Sequence, residues 1–184
     1  MPITDILVIL HYIPMISMTY FELFGLPIGF KVDPIKLRQS FMDIQRMSHP
    51  DKFAQASPEE QEMALEKSAL ANKGFALLNH PEKVLPYVLE TLGLLEPEEK
   101  YALHPAFLME MMELNEAWMD ADTEESKQNV IYQVKQIQND IYEPIKPTLE
   151  TIDIHSIPQE KLLQIKEYYY KKKYLDRILA DFRY

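Results

Sequence analysis

The chain has 184 residues, 47% of them hydrophobic, which is enough for one medium domain or two small ones, and its four glycines and lack of long alternating β-branched runs favour an all-helical fold. The absence of cysteine excludes disulfides, thiolate metal ligands and a cysteine nucleophile, and it fits the reducing cytoplasm that we expect as the location. A net charge of -10 argues against general nucleic-acid binding, which needs a basic face.

Residues 1–17 differ in character from the rest of the chain. The apolar run at 6–10 is shorter than the ~20 residues that a membrane span needs, and Pro14 lies close to it. The stretch contains Asp5 but no lysine or arginine, so it does not match a secretory signal. We interpret 1–17 as an extension that is either not native, with Met18 as the natural start, or disordered or loosely docked, and we expect no membrane contact.

A first domain is predicted over 18–93, and its first long helix carries a basic face. Asp33-Pro34 provides a cap and a first-turn proline for this helix, which ends at Met47. An apolar stripe at helical spacing consists of Leu37, Phe41 and Ile44. Arg38 and Arg46 fall away from the stripe, together with Lys36, on a face that meets either water or an acidic partner.

The segment 48–53 separates this helix from the next one. Pro50 has no backbone N–H and disfavours a helical conformation at His49, so the first helix must stop. Ser57 to Glu60 has the pattern of a capping box, and it predicts a second helix from Ser57 to about Leu78. Small residues along that helix allow close antiparallel packing. The tripeptide His49-Pro50-Asp51 then stands at the tip of a helical hairpin as a contact surface.

A third helix and an acidic linker complete the first half of the chain. Pro81 to Leu92 predicts a helix that contains Pro86 and ends at Gly93. Residues 94–104 are interpreted as a linker with an acidic helical start. From 96 to 127 the chain holds ten acidic residues against two lysines. This asymmetry predicts an acidic protein-binding surface separate from the basic one.

The first helix of a second domain, predicted over 105–184, carries two neighbouring stripes. One stripe is apolar and consists of Phe107, Met111, Leu114 and Trp118. The other is apolar at one end and acidic at the other, and it consists of Leu108, Met109, Met112, Glu113, Glu116 and Asp120. The surplus of methionine favours an exposed, adaptable docking face. The alternative is a helix that is buried on all sides.

Two further helices complete the chain and predict an antiparallel three-helix bundle. Thr123 restarts a helix that Pro144 and Pro147 must bend or end, and Pro158 opens the last helix. The last helix contains three consecutive tyrosines and three consecutive lysines at 168–173. We interpret them as core tyrosines with lysines that extend along apolar surface, and not as a nucleic-acid site.

Catalytic motifs are absent from the sequence. It contains no P-loop, no Rossmann glycine pattern and no HExxH motif. Ser48, His49 and Asp51 could suggest a hydrolase, but their closeness in sequence does not suit the geometry of a catalytic relay. We therefore predict that the protein is not an enzyme.

The segment around His49-Pro50-Asp51-Lys52-Phe53 resembles a J-domain, the co-chaperone module that stimulates ATP hydrolysis by DnaK-type chaperones. The basic helix before it, Tyr20-Phe21 and the segment 72–78 fit the same module. The start of the domain at 18–27 and the segment 107–114 resemble the HscB family, the iron–sulfur co-chaperones with a carboxy-terminal three-helix bundle. The resemblance covers the chain from Met18 to its end.

The resemblance implies an L-shaped, two-domain co-chaperone that delivers an IscU-type scaffold protein to the DnaK-type chaperone HscA. It implies no cofactor and no metal site, and without thiolates we expect the protein to ligate no cluster. The residues implied as chaperone contacts are His49, Pro50, Asp51, Lys52, Arg38 and Arg46. The residues implied as scaffold contacts are Leu108, Met109, Met112, Glu113, Glu116, Asp120 and Tyr174.

The chain departs from the family pattern at several positions. Ser48 stands where a tyrosine is usual, Asp120 and Tyr174 replace a longer acid and a phenylalanine, and Pro144 and Pro147 interrupt the second bundle helix. Two other functions stay open at this point. One is a general J-domain co-chaperone for another client, and the other is an interaction protein whose His-Pro-Asp segment has lost its activity.

Overall fold

The computed structural model describes residues 18–96, 98–151 and 154–182, and every regular element in these ranges is helical. The chain divides into two compact units, one that ends at Thr91 and one that begins at Leu92. The predicted all-helical fold is therefore confirmed. The extension predicted for 1–17 lies outside the described residues.

Among the described residues, the first unit contains four helices, and the two longest start at the predicted caps. They are α1 (Tyr20–Leu23), α2 (Pro34–Met47), α3 (Pro58–Leu78) and α4 (Pro81–Thr91), with a 3-10 turn (Pro50–Phe53) between α2 and α3. The carboxylate of Asp33 accepts hydrogen bonds from the first turn of α2. Ser57 and Glu60 form the reciprocal capping box of α3. Gly93, just past α4, has a φ of +68°, a conformation that glycine adopts without strain.

Helices α2 and α3 form the predicted hairpin. Phe41 of α2 stacks on Phe75 of α3 with 4.4 Å between ring centroids. The amide of Gln45 donates hydrogen bonds to the Ser68 carbonyl and the Asn72 side chain, at 3.3 and 3.1 Å. Asn72 therefore joins the two helices. These contacts hold together the two helices of the hairpin whose tip carries His49.

Helix α1 packs directly on the backbone of α3 at Gly74. A Cβ atom at this position would lie 2.7 Å from Cδ1 of Tyr20 and 2.9 Å from Cε2 of Phe24. The Tyr87 hydroxyl accepts a 2.8 Å hydrogen bond from the backbone N–H of Tyr20, which fixes α1 against α4 as well. Only glycine allows this close approach, and periodicity of large apolar residues does not reveal it.

The described residues of the acidic linker, 94–96 and 98–104, are not helical, so the expected helical start is wrong. Glu98 has a φ of +58°, which a helix does not accommodate. The carboxylate of Glu99 forms a 2.5 Å ion pair with Lys166 and accepts a 3.1 Å hydrogen bond from the Tyr170 hydroxyl. Tyr101 stacks on Tyr170 with 4.5 Å between ring centroids. These contacts hold the linker against the last helix, which is an alternative to local helix formation.

The second unit contains the predicted three-helix bundle. Its helices are α5 (Pro105–Met119), α6 (Glu124–Tyr142), a short α7 (Lys146–Leu149) and α8 (Gln159–Asp181), with a 3-10 turn at Ile154–Ser156. Helix α6 ends before Pro144, so the predicted interruption is confirmed. The bundle core consists of Phe107, Met111, Leu114, Val130, Val134, Leu175, Ile178 and Phe182. Among the helices of the described ranges, none combines the length and apolar character of a bilayer span.

Aromatic contacts give the order of the bundle. Phe107, near the start of α5, meets Tyr174, and Trp118, near the end of α5, stacks on Phe182 at the end of α8, so these two helices run in the same direction. The ammonium of Lys127, near the start of α6, lies over the ring of Trp118, so α6 runs back along α5.

The tyrosines at 168–170 are half-buried, so the prediction that they belong to the core is wrong. A 23-residue helix in a small bundle has too little cover to bury three consecutive side chains.

Candidate docking surfaces

The His49-Pro50-Asp51 segment forms an exposed knuckle. His49 is the N-cap of the 3-10 turn, and its Nδ1 accepts a hydrogen bond from the Asp51 backbone N–H at 3.3 Å. The side chain of His49 is 59% exposed and that of Asp51 is 90% exposed, with 3.5 Å between Nδ1 and Oδ2. Neutral His49 that accepts at Nδ1 carries its proton on Nε2. The knuckle therefore offers a partner one imidazole donor and one carboxylate.

The same cap occurs at a second His-Pro pair. His104 precedes Pro105 at the start of α5, and its Nδ1 accepts a hydrogen bond from the Ala106 backbone N–H at 3.2 Å. The cap is thus a local property of histidine before a first-turn proline. The third His-Pro pair, His80-Pro81, is also followed by an exposed acid, with 3.2 Å between Nδ1 of His80 and Oε1 of Glu82. What sets His49 apart is therefore its place at the tip of the hairpin, next to the exposed Lys52.

The basic face of α2 is exposed, and α2 directly precedes the knuckle in the sequence. Arg38, Arg46 and Lys52 are all exposed, and Arg46 makes an exposed ion pair with Asp43 at 3.5 Å. A groove on this face is also lined by Ile35 and Met42, both of which are exposed. The sequence analysis missed these two apolar residues. Their i, i+7 spacing, with Arg38 between them, was the available sign.

Ser48 is buried beneath the knuckle and borders a cleft. It is the C-cap of α2, its backbone N–H donates to the Ile44 carbonyl at 2.9 Å, and only 3% of its surface is exposed. The cleft has a volume of about 540 Å³ and an apolar lining that includes Leu23, Ile44, Met47, Phe53, Met63 and Leu70. A larger side chain at this position would reach into the cleft.

Helix α5 presents its two stripes to different environments. Phe107, Met111 and Leu114 are buried in the bundle core. Met109, Met112 and Met119 are 62%, 60% and 82% exposed. The helix is therefore not buried on all sides, and the predicted exposed methionine surface is present.

The residues predicted as scaffold contacts lie on and beside that exposed side. Met109, Met112, Glu113, Glu116 and Asp120 are exposed along α5. Leu108 of α5 and Tyr174 of α8 are half-buried and pack against the same bundle core. The exposed side of α5 therefore borders α8 at these two residues. The Tyr174 ring meets Phe107 edge to face, with 6.2 Å between centroids. The structure thus brings all seven predicted positions to α5 and the adjoining part of α8.

Two further residues at this surface were not predicted. Met119 lies one heptad after Met112 and so shares its side of the helix. The guanidinium of Arg177 lies 4.6 Å from the centroid of the Tyr174 ring. The sequence analysis assigned neither, although the i, i+7 spacing of Met119 could have indicated it.

Two of the three consecutive lysines of the last helix are paired with acids on the same helix, and the third, Lys173, lies over the Tyr169 ring. Lys171 pairs with Glu167 at 2.7 Å and Lys172 pairs with Asp176 at 2.5 Å. The lysine run is therefore not a free basic patch of the kind that binds phosphates. Within the described ranges, no three histidine or acidic side chains group as a metal site.

Comparisons with known proteins identify similar chains. Residues 103–183 match the family described as the HSCB C-terminal oligomerisation domain. A co-chaperone protein HscB homolog of Shewanella amazonensis is 33% identical over 73% of this chain and 78% of its own length. One from Vibrio parahaemolyticus is 39% identical over 56% of this chain, and the match spans 61% of the relative's length. The solved structure of chaperone HscB from Vibrio cholerae superposes with a TM-score of 0.61 at 30% identity, over 90% of this chain and 96% of that one.

Proposed function

Because the chain belongs to the HscB family of co-chaperones, we propose that it is a co-chaperone of iron–sulfur cluster assembly that stimulates the ATPase of an HscA-type, DnaK-like chaperone and delivers an IscU-type scaffold protein to it. The first unit acts on the chaperone and the second unit binds the scaffold. The observation that carries the proposal is the exposed His49-Pro50-Asp51 knuckle at the tip of a hairpin whose α2 face is basic.

The knuckle acts by binding, because the described groups at the tip do not form a catalytic relay. The Nδ1 atom of His49 is engaged by the Asp51 N–H, so it does not activate the Ser48 hydroxyl through that atom. A bound tip favours the hydrolysis-competent state of the chaperone only if it binds that state better than the other, typically by ~1–3 kcal/mol. Arg38 and Arg46 add long-range attraction to an acidic chaperone surface.

The exposed side of α5 suits a partner with an apolar patch edged by cations. Met109 and Met112 provide deformable apolar contact, and Glu113, Glu116 and Asp120 provide negative charge beside them. A scaffold held there shares a chain with the knuckle, so its effective concentration at the chaperone rises. The protein then couples the arrival of the client to ATP hydrolysis.

The chaperone arm is tested by His49→Gln, with His104→Gln as its matched control. Both substitutions remove a histidine cap before a proline, so both carry a similar structural cost. We expect His49→Gln to abolish stimulation of the chaperone's steady-state ATPase while scaffold binding is retained. His104→Gln should retain the stimulation. Equal stimulation by both variants and the wild type would show that the knuckle is not the contact.

The scaffold arm is tested by the double variant Met112→Ala and Glu113→Ala. Titration calorimetry with an IscU-type scaffold should show weaker binding, and ATPase stimulation without scaffold should stay unchanged. A protein that stimulates a DnaK-type chaperone but binds no scaffold would instead be a general J-domain co-chaperone for another client. A protein that does neither would be an interaction protein whose His-Pro-Asp segment has lost its activity.

A further inference from the structure

Methionine is unusually accessible in this chain. Seven of the eight methionines within the described ranges are exposed, and only Met111 is fully buried. The sequence contains no cysteine, so no thiol competes with these thioethers for an oxidant. Methionine is thus the residue of this chain that peroxides oxidise reversibly.

Three of the exposed methionines share one side of α5. We call Met109, Met112 and Met119 the methionine face. They span ten positions, about 15 Å along the helix axis, on a side that points away from the buried residue Met111. The methionine face coincides with the surface to which the proposed function assigns the scaffold.

We propose that the methionine face is an oxidation site at which hydrogen peroxide switches off scaffold docking. This inference rests on the proposed function. Each thioether sulfur gains one oxygen atom and loses two electrons to form methionine sulfoxide, and the peroxide is reduced to water. The product side chain is polar, whereas the thioether was apolar.

The surroundings of the methionine face select the kind of oxidant. Glu113 and Glu116 lie on the same side of the helix and are exposed. Their negative charge repels an anionic oxidant, while neutral hydrogen peroxide approaches without this cost. Met111 is shielded by the bundle core, so the reaction leaves the core intact.

Oxidation weakens binding without unfolding the protein. A sulfoxide that is covered by an apolar partner surface loses hydrogen bonds to water, and the penalty corresponds to a roughly tenfold loss of affinity. The exposed sulfurs make few contacts within their own bundle, so the fold loses little. A methionine sulfoxide reductase reverses the change.

The experiment uses the full chain, hydrogen peroxide and an IscU-type scaffold. Peptide mass spectrometry locates the added oxygen atoms, and titration calorimetry measures the dissociation constant before treatment, after treatment and after repair by MsrA and MsrB. We expect oxidation at the methionine face, none at Met111, a roughly tenfold rise in the dissociation constant, and recovery on repair.

Two variants separate the methionine face from the other exposed methionines. The triple variant with leucine at 109, 112 and 119 is compared with its own untreated affinity, and peroxide should leave that affinity unchanged. Met63→Leu removes an exposed thioether from the first unit and should lose affinity on oxidation as the wild type does.

The outcomes distinguish this inference from the function on which it rests. No binding before treatment would overturn the proposed function, and this inference with it. Unchanged affinity after oxidation is mapped to the methionine face would overturn the inference alone. Oxidation of Met111 at the same rate as Met112 would also overturn it, because the core would then be open to the oxidant.

Discussion

Met111 and Met112 are adjacent in the sequence and lie on different sides of α5, so replacing each by alanine separates folding from docking. Met111 is fully buried in the bundle core, whereas Met112 is 60% exposed. Both substitutions remove the same atoms. We expect Met111→Ala to reduce stability and Met112→Ala to reduce scaffold affinity.

The magnitudes come from burial. Met→Ala in a packed core costs about 2–5 kcal/mol, so Met111→Ala should lower the unfolding midpoint of the bundle by roughly 10–30 °C. Burying a whole methionine side chain is worth about 1.5–3 kcal/mol. With 60% of Met112 still to be covered by a partner, its loss should cost about 1–2 kcal/mol of binding, a roughly five- to thirtyfold rise in Kd. Its effect on stability should stay within about 0.5 kcal/mol.

Thermal unfolding followed by circular dichroism measures the first effect, and titration calorimetry with an IscU-type scaffold measures the second. Affinity for the Met111→Ala variant is measured well below its unfolding midpoint, where the bundle is intact. The reasoning is refuted if Met112→Ala binds the scaffold as tightly as the wild type. It is equally refuted if Met112→Ala unfolds as early as Met111→Ala, since the two sides of α5 would then not differ.

Three other substitutions test packing and charge. Gly74→Ala gains about 1 kcal/mol of helix propensity but places a methyl group 2.7 Å from Tyr20. Urea unfolding should therefore show a net loss of about 1 kcal/mol in the free energy of unfolding. Equal or higher stability would contradict the close approach. Ser48→Tyr should fill part of the cleft and raise the free energy of unfolding by about 1 kcal/mol, and a lower value would show that the cleft does not accept the ring. Glu99→Gln should lower the unfolding midpoint at pH 7, and this effect should shrink as the pH falls below 4.5 and through the lowered pKa of Glu99. An effect that does not change as the pH falls would contradict the ion pair with Lys166.

The sign of the Glu99 prediction comes from its hydrogen bonds. The hydrogen bond from Lys166 holds the pKa of Glu99 below its usual 4.5. A carboxylate with a lowered pKa stabilises the fold fully above its unfolded pKa, and the contribution is lost as pH falls through the lowered value. Burial, and next the hydrogen bond to Glu99, raises the pKa of Tyr170 to about 12. Tyr170 therefore remains a neutral donor to Glu99 across the whole range tested.

The helices of the first unit could be predicted because their ends are encoded locally. Asp33 and Ser57 accept hydrogen bonds from the first turns of α2 and α3, and Pro50 prevents continuation of α2. Each of these effects depends on residues within four positions in the chain. The exposed position of the knuckle has the same local origin, since the chain reverses there between two capped helices.

The features that escaped prediction depend on residues that are far apart in the chain. Gly74 is required because Tyr20, more than fifty positions earlier, packs against its backbone. Glu99 lies outside any helix, and its carboxylate binds Lys166 and Tyr170, which are far away in the sequence. Sequence periodicity marks which side of a helix is apolar but does not measure the distance between two chain segments. Such contacts can be identified only when the fold is known.

The presence of two apolar stripes on α5 is informative because the bundle buries only one of them. A helix packed against two neighbours in a small bundle has one covered side, and here Met111 and Leu114 occupy it. Met112 and Met119 contribute little to that core, so folding alone gives no reason for large apolar side chains at their positions. The acids beside them match the cation-edged partner of the proposed function. If the surface serves that partner, substitutions there should reduce binding before they reduce stability.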